Sequence, residues 1–206
     1  LLALFLVTLV LPIAFEIGGL KLSPVRLFLL AGFIPMLVRL LSGAAGRLTL
    51  GDLFFGLYGL WMGIAMVAVH GPSRIPFAGI SIVEAVGGYL AGRVMIQSVT
   101  DYRTFFRYFL VTLGLLAPLA VFENLTGRML LSEALNPLFH THPKVLLRSA
   151  EDYRMGLVRA QGVVEHSILW GVFCSVAIAN AWYLYRDTLG KSLVLTAFAT
   201  AMTFTS

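Results

Sequence analysis

The sequence is short of charge. Charged residues make up 12% of its 206 residues and hydrophobic residues 59%, with a mean hydropathy of +0.89. Soluble domains carry about a quarter charged residues, so an ordinary soluble domain is excluded. Cysteine is almost absent: Cys174 stands alone inside an apolar run, and no intrachain disulfide can form. There is no Walker motif, no dinucleotide-binding glycine fingerprint, no Gly-x-Ser-x-Gly and no Asp-x-Asp pair for a metal-bound nucleotide sugar. His140-Thr-His142-Pro143 has no third ligand at useful spacing and is not a metal set. Asn124-Leu-Thr126 is a glycosylation sequon in form only. No internal repeat and no low-complexity segment is visible. The net charge of +5 does not point to nucleic acid, because the fifteen Lys and Arg residues sit mainly between apolar runs.

Those runs dominate the chain. A helix crosses a bilayer with roughly 20 mostly apolar residues, and a spanning backbone must satisfy its own hydrogen bonds. The sequence therefore predicts an all-α, polytopic transmembrane bundle of about seven helices, forming one domain over residues 1–206. The segments are 1–15, about 25–41 with Pro35 as a kink point, 53–70 entered at Asp52, about 76–97, about 105–122, about 164–185, and a last one from Leu189. Gly59 and Gly63, with Gly56 on the same face, and Gly88 with Gly92 have the spacing of close helix packing. Leu1 starts inside an apolar run, with neither a basic leader nor a small-residue cleavage site, and Ser206 stops in mid-helix. Both ends read as cuts in a longer protein.

One connection is long, about residues 123–163. It holds Glu123, Arg128, Glu133, Lys144, Arg148, Glu151, Asp152, Arg154 and Arg159, and Leu130–Leu135 reads as a short interfacial helix. Its apolar content argues against disorder, and loops this long are commonly functional. One set of alternate short loops carries six basic residues (Arg39, Arg47, Arg103, Arg107, Arg186, Lys191) and the other three (Lys21, Arg26, Arg74). Positive charge stays inside, so the long connection is expected outside.

Ionisable groups gather where that connection meets the membrane, at Arg159-Ala-Gln-Gly-Val-Val-Glu-His-Ser-Ile-Leu-Trp-Gly171. Arg presents a planar fork that grips phosphate oxygens bidentately, so Arg159 and Arg154 suit a lipid phosphate or pyrophosphate. Equally, they could pair with Glu165 or Asp152, or snorkel to ordinary headgroups. With a helix starting near Gly162 or Val163, Glu165 falls in its first turn. His166 then shares a stripe with Trp170, Phe173, Ala177 and Asn180, facing the bundle because Asn180 is costly in lipid. It serves as a general base or as a hydrogen-bond anchor. Glu84 is the deepest acid; an intramembrane carboxylate is a functional candidate, and it could instead pair with an Arg from another segment or stay protonated. Arg93 is out of phase with it on the same helix.

Two stretches carry a family resemblance. Phe122-Glu-Asn-Leu-Thr-Gly-Arg128 closes the fifth segment, and Arg159-Ala-Gln-Gly-Val-Val-Glu-His166 opens the sixth, with Ser167 where Pro is common. Together they resemble the O-antigen ligase and O-antigen/exopolysaccharide polymerase family of bacterial inner-membrane proteins. Glu16-Ile-Gly-Gly-Leu-Lys-Leu-Ser-Pro24 also looks like that family's first loop. The resemblance implies a fold similar to membrane C-type glycosyltransferases. It implies transfer of a glycan from an undecaprenyl-pyrophosphate donor to lipid A-core or another lipid-linked glycan, at the periplasmic face, without metal, nucleotide or other cofactor. It makes Arg159 the leading pyrophosphate ligand, with Gly162 and His166 in support and Arg154, Arg128 and Glu84 as further substrate-binding candidates. The acceptor-activating His of such proteins lies in a later loop, expected beyond Ser206. Rival readings are a secondary transporter or flippase, suited by Glu84, Arg93 and Asn180, and a non-catalytic membrane scaffold.

Overall fold

A computed structural model describes residues 1–17, 20–135, 137, 153–154, 156–164 and 166–206, with only the backbone described at 15–17 and 154. Sequence candidates Glu165, Asp152, Glu151, Arg148, Lys144, Pro143, His142 and His140 lie outside the described residues, as does the side chain of Arg154. The chain divides into two compact units, Leu1–Leu9 with Phe15–Tyr102, and Val10–Ala14 with Arg103–Ser206.

The elements are helices, with two short hairpins. In order they are α1 (Leu2–Val10), β1 (Phe15–Ile17), β2 (Leu20–Leu22), α2 (Pro24–Leu41), α3 (Leu50–His70), a 3-10 turn (Pro72–Arg74), α4 (Ile75–Met95), α5 (Val99–Thr126), α6 (Leu130–Leu135), β3 (Tyr153–Arg154), β4 (Leu157–Val158), α7 (Ser167–Tyr185) and α8 (Leu189–Thr203). Five stretches, α2, α3, the 3-10 turn with α4, α5 and α7, are long and apolar enough to cross a membrane among the described residues. The first apolar run is not one helix: it stops at Val10, and the antiparallel hairpin β1–β2 follows with Phe15 opposite Leu22 and Ile17 opposite Leu20.

In the first unit, local caps set the helix ends. Ser23 Oγ accepts from Arg26 N at 3.4 Å, with Pro24 in the first turn of α2, where its missing N–H costs nothing. Pro35 sits within that helix, which runs on to Leu41. Thr49 and Asp52 form a capping box for α3, so that helix starts three residues before the predicted segment. Helix α4 packs against both α2 and α3. Leu29, Met36, Leu40, Leu90, Ala91 and Val94 are the heart of that core. A methyl on Gly63 would lie 2.8 Å from Ile82 Cδ1, and one on Gly59 would collide with Val86 Cγ2. These two glycines therefore serve close packing, as their spacing predicts. Among the described residues a methyl on Gly56, Gly88 or Gly92 would meet nothing within 4 Å, and Gly87 takes the packing role on α4, against Leu29 and Phe33.

Helix α5 runs 28 residues rather than the eighteen of its apolar stretch; its residues up to Tyr102 belong to the first unit and those from Arg103 to the second. Asp101 accepts from Ser98 N at 3.0 Å and donates its own N–H to Ser98 Oγ at 3.0 Å, which starts the helix before its charged first turns. Helices α7 and α8 pack closely, with Ala177, Ala181, Ser192 and Ala199 fully buried. Phe173 of α7 meets Phe109 of α5 at a ring separation of 4.4 Å. Helix α8 ends at Thr203, and its last residues turn back toward the segment before α7.

Candidate functional site

The two stretches that flank the long connection meet in space. Glu123, which the apolar pattern assigns to the loop, lies in the last turns of α5 and is only 3% exposed. Its carboxylate accepts the backbone N–H of Gln161 at 3.0 Å through Oε1 and that of Gly162 at 2.9 Å through Oε2. The next residue, Asn124, donates through Nδ2 to Val158 O at 2.5 Å and, more weakly, to Thr205 O at 3.4 Å. Thr205 O also accepts from Ala160 N at 2.7 Å. The backbone on both sides of Arg159 is thus tied to the ends of α5 and α8. Glu123 supplies two of these ties at once, one through each carboxyl oxygen.

The remaining residues of Phe122–Arg128 end the helix. Thr126 Oγ1 donates to Phe122 O at 2.8 Å and accepts from Arg128 N at 3.2 Å. Gly127, at φ +74°, donates to Glu123 O at 2.6 Å, a left-handed terminator that favours glycine. Arg128 pairs with Glu133 of α6 at 2.7 Å in an exposed contact. That hydrogen bond holds the Glu133 carboxyl below its usual range and raises the Arg128 guanidinium above its own.

Gly162 adopts φ +61°, and a methyl there would lie 2.7 Å from Trp170 Cε3. Only glycine combines that backbone with contact against the indole face. The ring is fixed in turn, since Trp170 Nε1 donates to Thr205 Oγ1 at 3.0 Å. A small pocket beside this clamp is walled by Leu116, Leu119, Met129, Leu130 and Val163, with Glu123 and Gly162 as its polar side.

The expected start of the sixth segment near Gly162 is not observed. The turn at Gly162 breaks the helical path, and α7 begins at Ser167. His166 is its N-cap: Nδ1 accepts from Ile168 N at 3.2 Å, and the residue is exposed. It therefore stands before the helix and off the predicted stripe, although Trp170 and Ala177 of that stripe are buried. With Nδ1 accepting, the neutral ring carries its proton on Nε2, which makes His166 a donor toward solvent. Arg159 is half-buried on the clamped segment.

Glu84 belongs to the first unit, where it accepts from Arg26 Nε at 2.6 Å; Arg26 also donates to Lys21 O. Arg93 likewise finds partners on another segment, donating to Asp52 Oδ1 at 3.3 Å and to the carbonyls of Ala45 and Arg47 at 2.8 Å each. Tyr89 Oη adds a bond to the same Asp52 oxygen at 2.7 Å. This cluster clasps the α2–α3 turn to α4, and nothing in the apolar pattern announces it. Asn180 turns its amide to Val176 O at 2.6 Å.

No protein-family model, curated protein or solved structure matches the chain. The fold defines a helical membrane protein with several spans.

Proposed function

We propose that this protein transfers an undecaprenyl-pyrophosphate-linked glycan to an acceptor at the outer face of a bacterial inner membrane, in O-antigen ligation or polysaccharide polymerisation. The observation that carries this reading is the clamp: two distant stretches, each resembling a family motif, are bonded together around Arg159. A phosphate-gripping cation is most effective when its position is fixed before the reaction. The backbone ties on either side of Arg159 supply that fixation. In the reaction, the bond between the donor sugar's anomeric carbon and the pyrophosphate oxygen breaks. The pyrophosphate leaves with the electron pair, the acceptor hydroxyl oxygen bonds to that carbon, and its proton passes to a base. Arg159 stabilises the charge that grows on the leaving group, and His166 offers an Nε2 proton as a further donor. Arg128, paired with Glu133, is a further substrate-binding candidate.

The residues that would suit a transporter are each satisfied internally: Glu84 by Arg26, Arg93 by Asp52 and two carbonyls, Asn180 by Val176. The transferase reading is preferred on the clamp around Arg159. Its test is binding of undecaprenyl pyrophosphate to the purified protein in nanodiscs. The wild type is expected to bind it at least about tenfold more tightly than undecaprenol, and Arg159→Ala to lose that preference. Equal binding of the two lipids by the wild type would sink the reading.

A further inference from the structure

We infer that Glu123 is a positioning residue for Arg159, acting as a resident anion in a backbone nest formed by Gln161 and Gly162. The inference rests on the transferase reading for its ligand but on geometry for its mechanism. Consecutive N–H groups that converge around a left-handed residue make an anion-binding concavity. Here the left-handed residue is Gly162, at φ +61°, and the two N–H groups point to separate oxygens of one carboxylate at 3.0 and 2.9 Å. That carboxylate is 3% exposed. A neutral amide of the same shape cannot replace it, because one of its two terminal groups is a donor and would face an N–H. Glu123 itself is not placed to touch a lipid pyrophosphate; its effect reaches the ligand through the path of residues 159–162. Asn124 completes the device from the other side by holding Val158 O.

Hydrogen exchange and lipid binding, measured on the same nanodisc samples, test this. In Glu123→Gln the amides of Gln161 and Gly162 should exchange at least about tenfold faster, while those of α7 and α8 stay protected. Binding of undecaprenyl pyrophosphate should weaken about tenfold or more, with undecaprenol binding unchanged. If Glu123→Gln does not fold, Glu123→Asp takes its place: its shorter side chain cannot reach both amides, and the same faster exchange at Gln161 and Gly162 and the same selective loss of binding are expected. Unchanged exchange at Gln161 and Gly162 in folded Glu123→Gln would overturn the inference whatever the lipid result. Faster exchange with full pyrophosphate binding would overturn it too, while leaving the transferase reading in place. A wild type that ignores the pyrophosphate overturns that reading and the positioning role together.

Discussion

At Gly162 two constraints meet that a side chain violates at once. The backbone is left-handed, which costs a non-glycine residue about 1–2 kcal/mol, and the Trp170 ring lies where a Cβ would go. Gly162→Ala is expected to lower stability by about 2–4 kcal/mol, the sum of the backbone term and mild overpacking. A thermal unfolding midpoint in detergent within a degree of the wild type would contradict this placement. His166 makes the opposite prediction. Its Nδ1 caps α7, so His166→Asn, which retains a capping acceptor, should keep stability within a few tenths of a kcal/mol, whereas His166→Ala should lose about 1 kcal/mol. Inactivation by Asn as severe as by Ala, with stability retained, would instead mark the ring as a base. The sequence exposes these residues as a cluster but not their jobs. A histidine before an apolar run reads the same whether it caps the helix or belongs to its first turn, and only the turn at Gly162 decides. Glu123 was hidden for another reason: its partners lie 38 and 39 residues away, beyond any local pattern.

Helices were the most legible elements, because an apolar run of spanning length has few other structures open to it. Their ends were less so. The apolar stretch of α5 gives out at residues 105 and 122, yet the helix extends to Val99 and Thr126, carried by the Ser98–Asp101 cap and stopped by Gly127. The hairpin β1–β2 was missed because three-residue strands carry too little alternation to register. Glycine spacing was half informative. Gly59 and Gly63 are packed against α4, while a methyl on Gly88 or Gly92, of identical spacing, would meet nothing within 4 Å among the described residues. Gly63→Val is therefore expected to destabilise the first unit by about 1–3 kcal/mol, and Gly88→Ala to be neutral or slightly stabilising through helix propensity. Unfolding midpoints that fall equally in the two variants would contradict the α3–α4 packing. The Arg93 clasp makes a related prediction: Asp52→Asn removes both the helix cap's charge and the salt bridge, and should cost more than Tyr89→Phe, which removes one hydrogen bond worth about 1 kcal/mol.

For the whole molecule, spans and loop charges together propose a sidedness, and the single cysteine makes it measurable. In a Cys174→Ala background, Ser73→Cys on the exposed turn between α3 and α4 should react with a membrane-impermeant maleimide in intact spheroplasts, and Ser42→Cys after α2 should react only after permeabilisation. The reverse pattern would turn the long connection to the cytoplasm and remove the case for a periplasmic substrate. Composition alone made the membrane class legible; the joining of two distant stretches around one arginine required the folded chain. Glycan transfer tests the resulting account most directly, in membranes supplied with the undecaprenyl-pyrophosphate-linked donor and its acceptor. Arg159→Ala should lower the rate about 100-fold or more, with the protein present at wild-type abundance. Arg159→Lys should recover only a small part, because a point charge does not replace a two-pronged fork. Near-normal transfer by Arg159→Ala would contradict the account.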